Sequence, residues 1–423
     1  VGQYGGGAFV LIYLVCLIVL GVPVMTMEFA MGRASRKSVV KMYQELEKPK
    51  SKWHIHGYVA MAGSYILMMY YTVVTGWMLQ YFVDMAMGKF QGADTTRINE
   101  IYDEMLANPT SLTIYMVIVV IIGFGVCSIG LQKGLERITK IMMIALLGIM
   151  VVLAINSIFL EGGKEGLSFY LLPNFETMAE IGVVDVIVAA MNQAFFTLSL
   201  GMGCMAIFGS YVKKDRTLLG ESVNVAILDT FVALTSGLII FPACFAYHVE
   251  VNNGPSLIFK TLPNIFNNIP LGRLWGSLFF VFMSFAALST ILTVFENIIS
   301  CSMDLWKWSR KKACLINGIA MMLLSMPCVL GYNKLSFITP FGQGTNISDL
   351  EDFAVMNVIL PVGSIIFVIF CTTRYGWGWD NFMKEANEGK GLKVAKCMKG
   401  YMTYVLPVII FAIFILGLIS FFS

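Results

Sequence analysis

VVDVIVAAMNQAFFTLSLGMGCMAIF, residues Val183–Phe208, is the stretch on which the fold turns. It is apolar and longer than the roughly 20 residues that a membrane-crossing helix needs. Its middle, Thr197–Gly203, nevertheless holds two hydroxyls and two glycines. Each glycine weakens a helix by about 1 kcal/mol. Two readings fit. Small residues let neighbouring helices pack closely. Alternatively, the helix is broken near the bilayer midplane, where unwound backbone is tolerated only beside a ligand or water. On the second reading the first half ends near Ser199 and the second begins after Gly203. The positive end of that second half would then meet an anionic group.

Nine further apolar runs of spanning length flank this one. The full set is about 8–29, 58–85, 112–129, 138–160, 183–208, 222–249, 271–299, 313–331, 353–373 and 401–422. The 423-residue chain is 57% hydrophobic and 13% charged, against about 25% charged in ordinary soluble domains. These values exclude a disordered chain, and a soluble fold would expose far too much apolar surface. Nine cysteines, mostly within apolar runs, do not make a disulfide scaffold. Long continuous runs exclude a β-barrel, whose strands alternate. The fold class is therefore an all-α polytopic membrane protein, read as a single transmembrane domain over residues 1–423, with the lipid bilayer as its surroundings.

Basic residues set the orientation. Of the 29 Lys and Arg, 23 fall in alternate loops, 30–57, 130–140, 209–221, 300–312 and 374–400, while the intervening loops are richer in acids. Cytoplasmic loops carry that excess. Val1 then lies outside, and the simplest topology adds one helix upstream, giving eleven spans in the intact chain. The net charge of +3 is small and the basic residues are dispersed, so no nucleic-acid footprint is present. There is no CxxC, HExxH or Walker loop, and the three histidines lie near loops. The sequence accordingly gives no sign of an enzyme or a metal cluster. It does not set an oligomeric state.

Three acids lie inside spans, where ionisable residues are costly and commonly functional. Glu28 reads as a hydrogen bond to a neighbouring helix end and Glu296 as a structural acid. Asp229 sits mid-span with no basic residue in its own helix, so a bound cation or a proton is its natural partner. Ala286-Ala287-Leu288-Ser289-Thr290 is a third cluster. Its hydroxyls either bond back to the preceding turn or, with a nearby carbonyl, offer the oxygen ligands that hard cations prefer. The mid-span pair Tyr70-Tyr71 favours a pocket over an interfacial belt.

Together these residues resemble a known family. GGGAF (Gly5–Phe9) with GVPVMTMEFAMGR (Gly21–Arg33) resembles the second helix of the neurotransmitter:sodium symporters. QAFFTLSLGMG (Gln193–Gly203) followed by SYVKKD (Ser210–Asp215) resembles their sixth. AALST resembles the eighth, GPSLIFKTLP (Gly254–Pro263) the extracellular lid before it, and DLEDF (Asp349–Phe353) the start of the tenth. The resemblance runs end to end and points to the bacterial amino-acid transporter branch.

It implies an inverted five-helix repeat fold, Na⁺-coupled uptake of an amino acid by alternating access, and two sodium sites. The family's first helix, which supplies half of both sites, would lie upstream of Val1. The first sodium site would use Thr197 and Asp229; the second, the Ala286 carbonyl, Ser289 and Thr290. Substrate contacts would be Leu67, Tyr71, Phe196, Thr197, Ser199, Met202, Thr290 and Val294, with the Tyr71 phenol on the substrate carboxylate. Asp352 would belong to the outer gate, and Asp304 with Tyr211 to the inner one. The chloride ligands of animal members map to Tyr13, Gln193 and Thr197. Asp229 stands where many relatives have Asn, so a fixed carboxylate replaces the anion and chloride is not required. Met202 stands where an aromatic is common, and a flexible Met repacks around larger side chains. Some bacterial members unwind the fifth helix with a Gly and a Pro ten residues later; here Gly134 is followed by Ile144.

The apolar lining implies a neutral, hydrophobic or aromatic L-amino acid. Short loops fit a bacterial inner membrane. A proton-coupled carrier of related fold and a non-transporting subunit or sensor are the alternative functions.

Overall fold

The computed structural model describes residues 1–130, 136–158, 160, 162–246, 255, 257–268 and 270–422. Gly134 and part of the Gly254–Pro263 segment lie outside them. Nine helices among the described residues are long and apolar enough to cross a membrane. The count is ten if the bent pair Phe175–Ile181 and Val183–Thr197 is taken as one. That 98° bend was not legible as a break. It falls at Gly182, whose φ of +115° only glycine adopts without strain. Strand pairing among the described residues amounts to two isolated bridges, Gly6 with Pro173 and Arg216 with Lys390.

The Val183–Phe208 stretch is two helices. Val183–Thr197 stops two residues before the Ser199 expected from sequence, and Cys204–Tyr211 begins directly after Gly203. The cause lies in the backbone. Ser199, Gly201 and Gly203 all take left-handed φ values, +51°, +83° and +73°. Two of the three are glycine, which pays no Cβ penalty there.

Close neighbours hold the break in place. A Cβ on Gly201 would come within 2.4 Å of the Leu360 carbonyl oxygen, and one on Gly363 within 2.1 Å of the Gly201 oxygen. The short Cys204–Tyr211 helix is locked against the first span, Gly7–Ser35. A Cβ on Gly32 would strike the Ala206 carbonyl, and one on Gly209 the Phe29 carbonyl. Reciprocal small residues of this kind drive membrane-helix association where lipid removes the hydrophobic driving force. The first span carries a wide turn at Leu17–Gly21 beside the break, where a Gly21 Cβ would meet Leu198. Such bulges recur at functional positions. On the other side of the break the long helices His54–Ala86 and Gly272–Trp306 pack along one another.

Candidate functional site

The break presents two ends. Its first end carries Thr197, the last residue of its helix, whose hydroxyl donates to Asp229 Oδ2 at 2.9 Å. Asp229 comes from the middle of Leu218–Ala246. Tyr13, from the first span, is buried, and its hydroxyl lies beside Thr197 and Thr230 without a hydrogen-bond partner among the described residues. Tyr13 and Gln193 line a cavity of about 720 Å³ that also reaches Asp352. A terminal hydroxyl, a carboxylate and an orphan phenol therefore converge where the first half-helix ends. That is the oxygen-rich environment a hard monovalent cation needs.

The second end differs from its sequence-based expectation. The N-terminus of Cys204–Tyr211 does not await a ligand anion, because Glu28 already occupies it. Glu28 is fully buried, and Oε1 accepts from the Gly201 N–H at 2.6 Å. A carboxylate there satisfies orphan donors and complements the helix dipole. Asn297, which sequence reading passed over, completes the support. Its Nδ2 donates to the Met202 carbonyl at 3.3 Å and to Ser64 Oγ at 3.0 Å.

The remaining candidates fall around the break. Tyr71 and Phe196 meet edge to face, ring centroids 6.5 Å apart. The Thr290 hydroxyl faces the Tyr71 phenol. Leu67, Met202 and Val294 are buried, and Ser199 is half-buried within the turn itself. One turn of Gly272–Trp306 brings Ser289 Oγ to 2.7 Å from the Ala286 carbonyl, to which it donates. The two oxygens thus lie together. A hydroxyl rotates to suit its partner, so a cation seated there would turn the Ser289 proton away.

On the cytoplasmic side the two inner-gate candidates, Tyr211 and Asp304, have separate partners. Asp304 Oδ2 accepts from the Ser38 N–H at 2.7 Å, fixing the start of the Val39–Leu46 helix. The Tyr211 hydroxyl donates instead to Glu296 Oε1 at 3.4 Å. Glu296, fully buried, is held by a two-pronged ion pair with Arg310, at 2.5 and 2.8 Å. Arg310 also donates to the Cys127 carbonyl at 2.8 Å. A charge buried this deeply is stable only when paired and hydrogen-bonded throughout, and here it is. Among the described residues no cluster of three or more His, Cys, Asp or Glu offers a transition-metal site.

A helix broken midway, with a hydroxyl and a carboxylate meeting at one end and a second carboxylate at the other, resembles the discontinuous helices of ion-coupled secondary transporters. The comparisons with known proteins give the class. The profile of the sodium:neurotransmitter symporter family matches residues 1–94 and 90–423. The chain belongs to that family and is a multi-span, sodium-dependent symporter. Among particular relatives, the uncharacterized sodium-dependent transporter YhdH of Bacillus subtilis (strain 168) is 30% identical, over 99% of this chain and 92% of the relative. The sodium- and chloride-dependent GABA transporter 2 of Rattus norvegicus is 22% identical, over 99% of this chain and 75% of the relative. The crystal structure of MhsT in complex with L-phenylalanine matches with a TM-score of 0.88 at 34% identity, covering 98% of this chain and 92% of that one.

Proposed function

We propose that this symporter imports a neutral L-amino acid with a large apolar or aromatic side chain, driven by an inward Na⁺ gradient. The observation that carries the proposal is the Thr197–Asp229 contact at the broken helix. It supports a first sodium site at Thr197 and Asp229. The adjacent oxygens of Ala286 and Ser289, with Thr290, support a second. The substrate lies between them, against Leu67, Tyr71, Phe196, Thr197, Ser199, Met202, Thr290 and Val294. The Tyr71 phenol holds its carboxylate, and the apolar walls hold its side chain. Burying apolar ligand surface there contributes about 25 cal/mol per Å². The phenylalanine bound by MhsT supports the same substrate class.

Residues 1–423 belong to one transmembrane transport domain, in a bacterial inner membrane. Asp352 belongs to the outer gate. The Tyr211–Glu296–Arg310 contacts close the inner side, with Asp304 holding the adjacent loop. Transport needs no chloride, because Asp229 supplies the fixed negative charge.

The test is uptake by full-length protein in sealed vesicles. Accumulation of Leu, Met, Phe, Tyr or Trp is expected only with Na⁺ outside, and these should compete better than Gly, Asp or Lys. Equal uptake in K⁺ medium at matched pH overturns sodium coupling. Acidic or basic amino acids winning the competition overturns the substrate class.

A further inference from the structure

A second concavity lies behind the break, on the outer face of the bundle. It is formed by the start of His54–Ala86 and by Ile347–Thr372, encloses about 330 Å³, and is lined among others by Lys52, Ile55, His56, Val59 and Val362. Ile55 and Val59 are about half exposed, 53% and 47%. On a helix that crosses a membrane, outward apolar side chains of this kind face acyl chains.

One polar group does not fit an apolar groove. His56 is only 6% exposed, and among the described residues neither ring nitrogen has a partner within hydrogen-bonding geometry. A neutral imidazole carries one donor and one acceptor, and buried polar groups in native proteins are nearly always paired. The ring is fixed edge-on by Tyr43 and Phe367, each 5.5 Å away between centroids, which keeps it from swinging out to water. The Gly201 backbone is the polar group that lies beside the ring.

The mouth of the groove carries unspent positive charge. Lys52 is exposed there. The nearest acid along the chain, Glu47, is already taken by His54 at 2.7 Å and Ser51 at 2.9 Å. Lys48 and Lys50 flank the same loop, which the distribution of basic residues places on the cytoplasmic side. Basic residues next to a spanning helix on that side attract anionic headgroups.

The geometry points to a binding site for an anionic phospholipid of the cytoplasmic leaflet, with an acyl chain along Ile55, Val59 and Val362, the headgroup phosphate at Lys52, and a lipid oxygen accepting from His56. The site bears on transport through its floor. Gly363 lines the groove, and a Cβ on it would come 2.1 Å from the Gly201 carbonyl oxygen. An occupied groove therefore braces the break from behind.

The experiment uses the purified full chain in detergent, with native mass spectrometry and thermal unfolding as readouts. The probes are phosphatidylglycerol and phosphatidylcholine of matched acyl chains, and sn-glycerol 3-phosphate. Phosphatidylglycerol should be retained and raise the unfolding temperature. Phosphatidylcholine should bind about fivefold or more weakly, the preference one uncompensated lysine gives. Lys52→Gln with His56→Phe should erase that preference. Val362→Trp should block retention by filling the groove, and Val59→Trp provides a second blocking variant should the first fail to fold. Equal retention of both lipids by the wild type overturns the proposal, as does a preference that survives Lys52→Gln with His56→Phe. The same stabilisation by glycerol phosphate assigns a soluble anion site and overturns the lipid.

Discussion

The two oxygen clusters near the break are built in opposite ways. Ala286, Ser289 and Thr290 belong to one turn of an unbroken helix, and their oxygens meet through local geometry, 2.7 Å apart between Ser289 and Ala286. Thr197 and Asp229 come from different spans, and one of those helices ends at Thr197 itself. The first cluster is neutral and the second carries a carboxylate. The contrast teaches where charge compensation belongs. A cation beside neutral oxygens must find its counter-charge elsewhere. A cation beside Asp229 would have it in contact, at the point where the first half-helix ends.

The largest effect should follow from removing that charge. Asp229→Asn keeps an oxygen but loses the negative charge. Two unit charges at 4 Å and an effective dielectric of 20 interact by about 4 kcal/mol. Even half of that energy lowers Na⁺-driven uptake by about 30-fold. Uptake at fixed external Na⁺ measures it. Near wild-type rates in Asp229→Asn mean that the carboxylate only packs, and the contrast between the clusters collapses.

A smaller effect is expected at the neutral cluster. Ser289→Ala with Thr290→Ala removes two hydroxyls, each worth about 1 kcal/mol as a hydrogen-bonding or coordinating group. The Na⁺ concentration for half-maximal uptake should rise about tenfold or more. Ser336→Ala, in an exposed loop, should leave it unchanged. If the double substitution is silent, Ser289 does no more than bond back to Ala286, and only the charged cluster binds sodium.

The same contrast explains what the sequence revealed. Ala286-Ala287-Leu288-Ser289-Thr290 is contiguous, so helical periodicity alone puts its oxygens together. The break was legible for a similar reason. Hydroxyls and glycines crowd into Thr197–Gly203 inside an apolar run, and the structure puts left-handed backbone there. The supports of the break were not legible as contacts. Glu28 reaches Gly201 across 173 positions, Asn297 reaches Met202 across 95, and Tyr211 reaches Glu296 across 85. No local pattern encodes such pairs. Glu28 reads as a hydrogen bond to a neighbouring helix end and makes one, to the Gly201 N–H, but which helix end it meets depends on how the spans pack, as does the partner of Glu296. The partner of Asp304 was illegible on the same ground, since its carboxylate accepts from the Ser38 backbone across 266 positions.

The smallest expected effect is none at all, on replacing chloride. Tyr13, Gln193 and Thr197 are the residues at which an anion would bind, and each is present. Thr197, however, donates its only hydroxyl proton to Asp229 Oδ2. It has no second proton for chloride, and a chloride placed there would stand against a carboxylate in a low-dielectric interior. Like charges at that distance repel by as much as opposite charges attract. Wild-type uptake should therefore be the same in chloride and in gluconate at equal Na⁺. In Asp229→Asn the obstacle is gone: the Thr197 hydroxyl is free to turn, the Tyr13 phenol is still unpartnered, and no fixed charge opposes an anion. Whatever uptake that variant retains should rise when gluconate is exchanged for chloride. The two clusters are then distinguished by sign as well as size, because the Ser289→Ala and Thr290→Ala variant, with Asp229 intact, should gain nothing from chloride. Strong chloride dependence in the wild type would show that Asp229 does not supply the compensating charge and that the anion does.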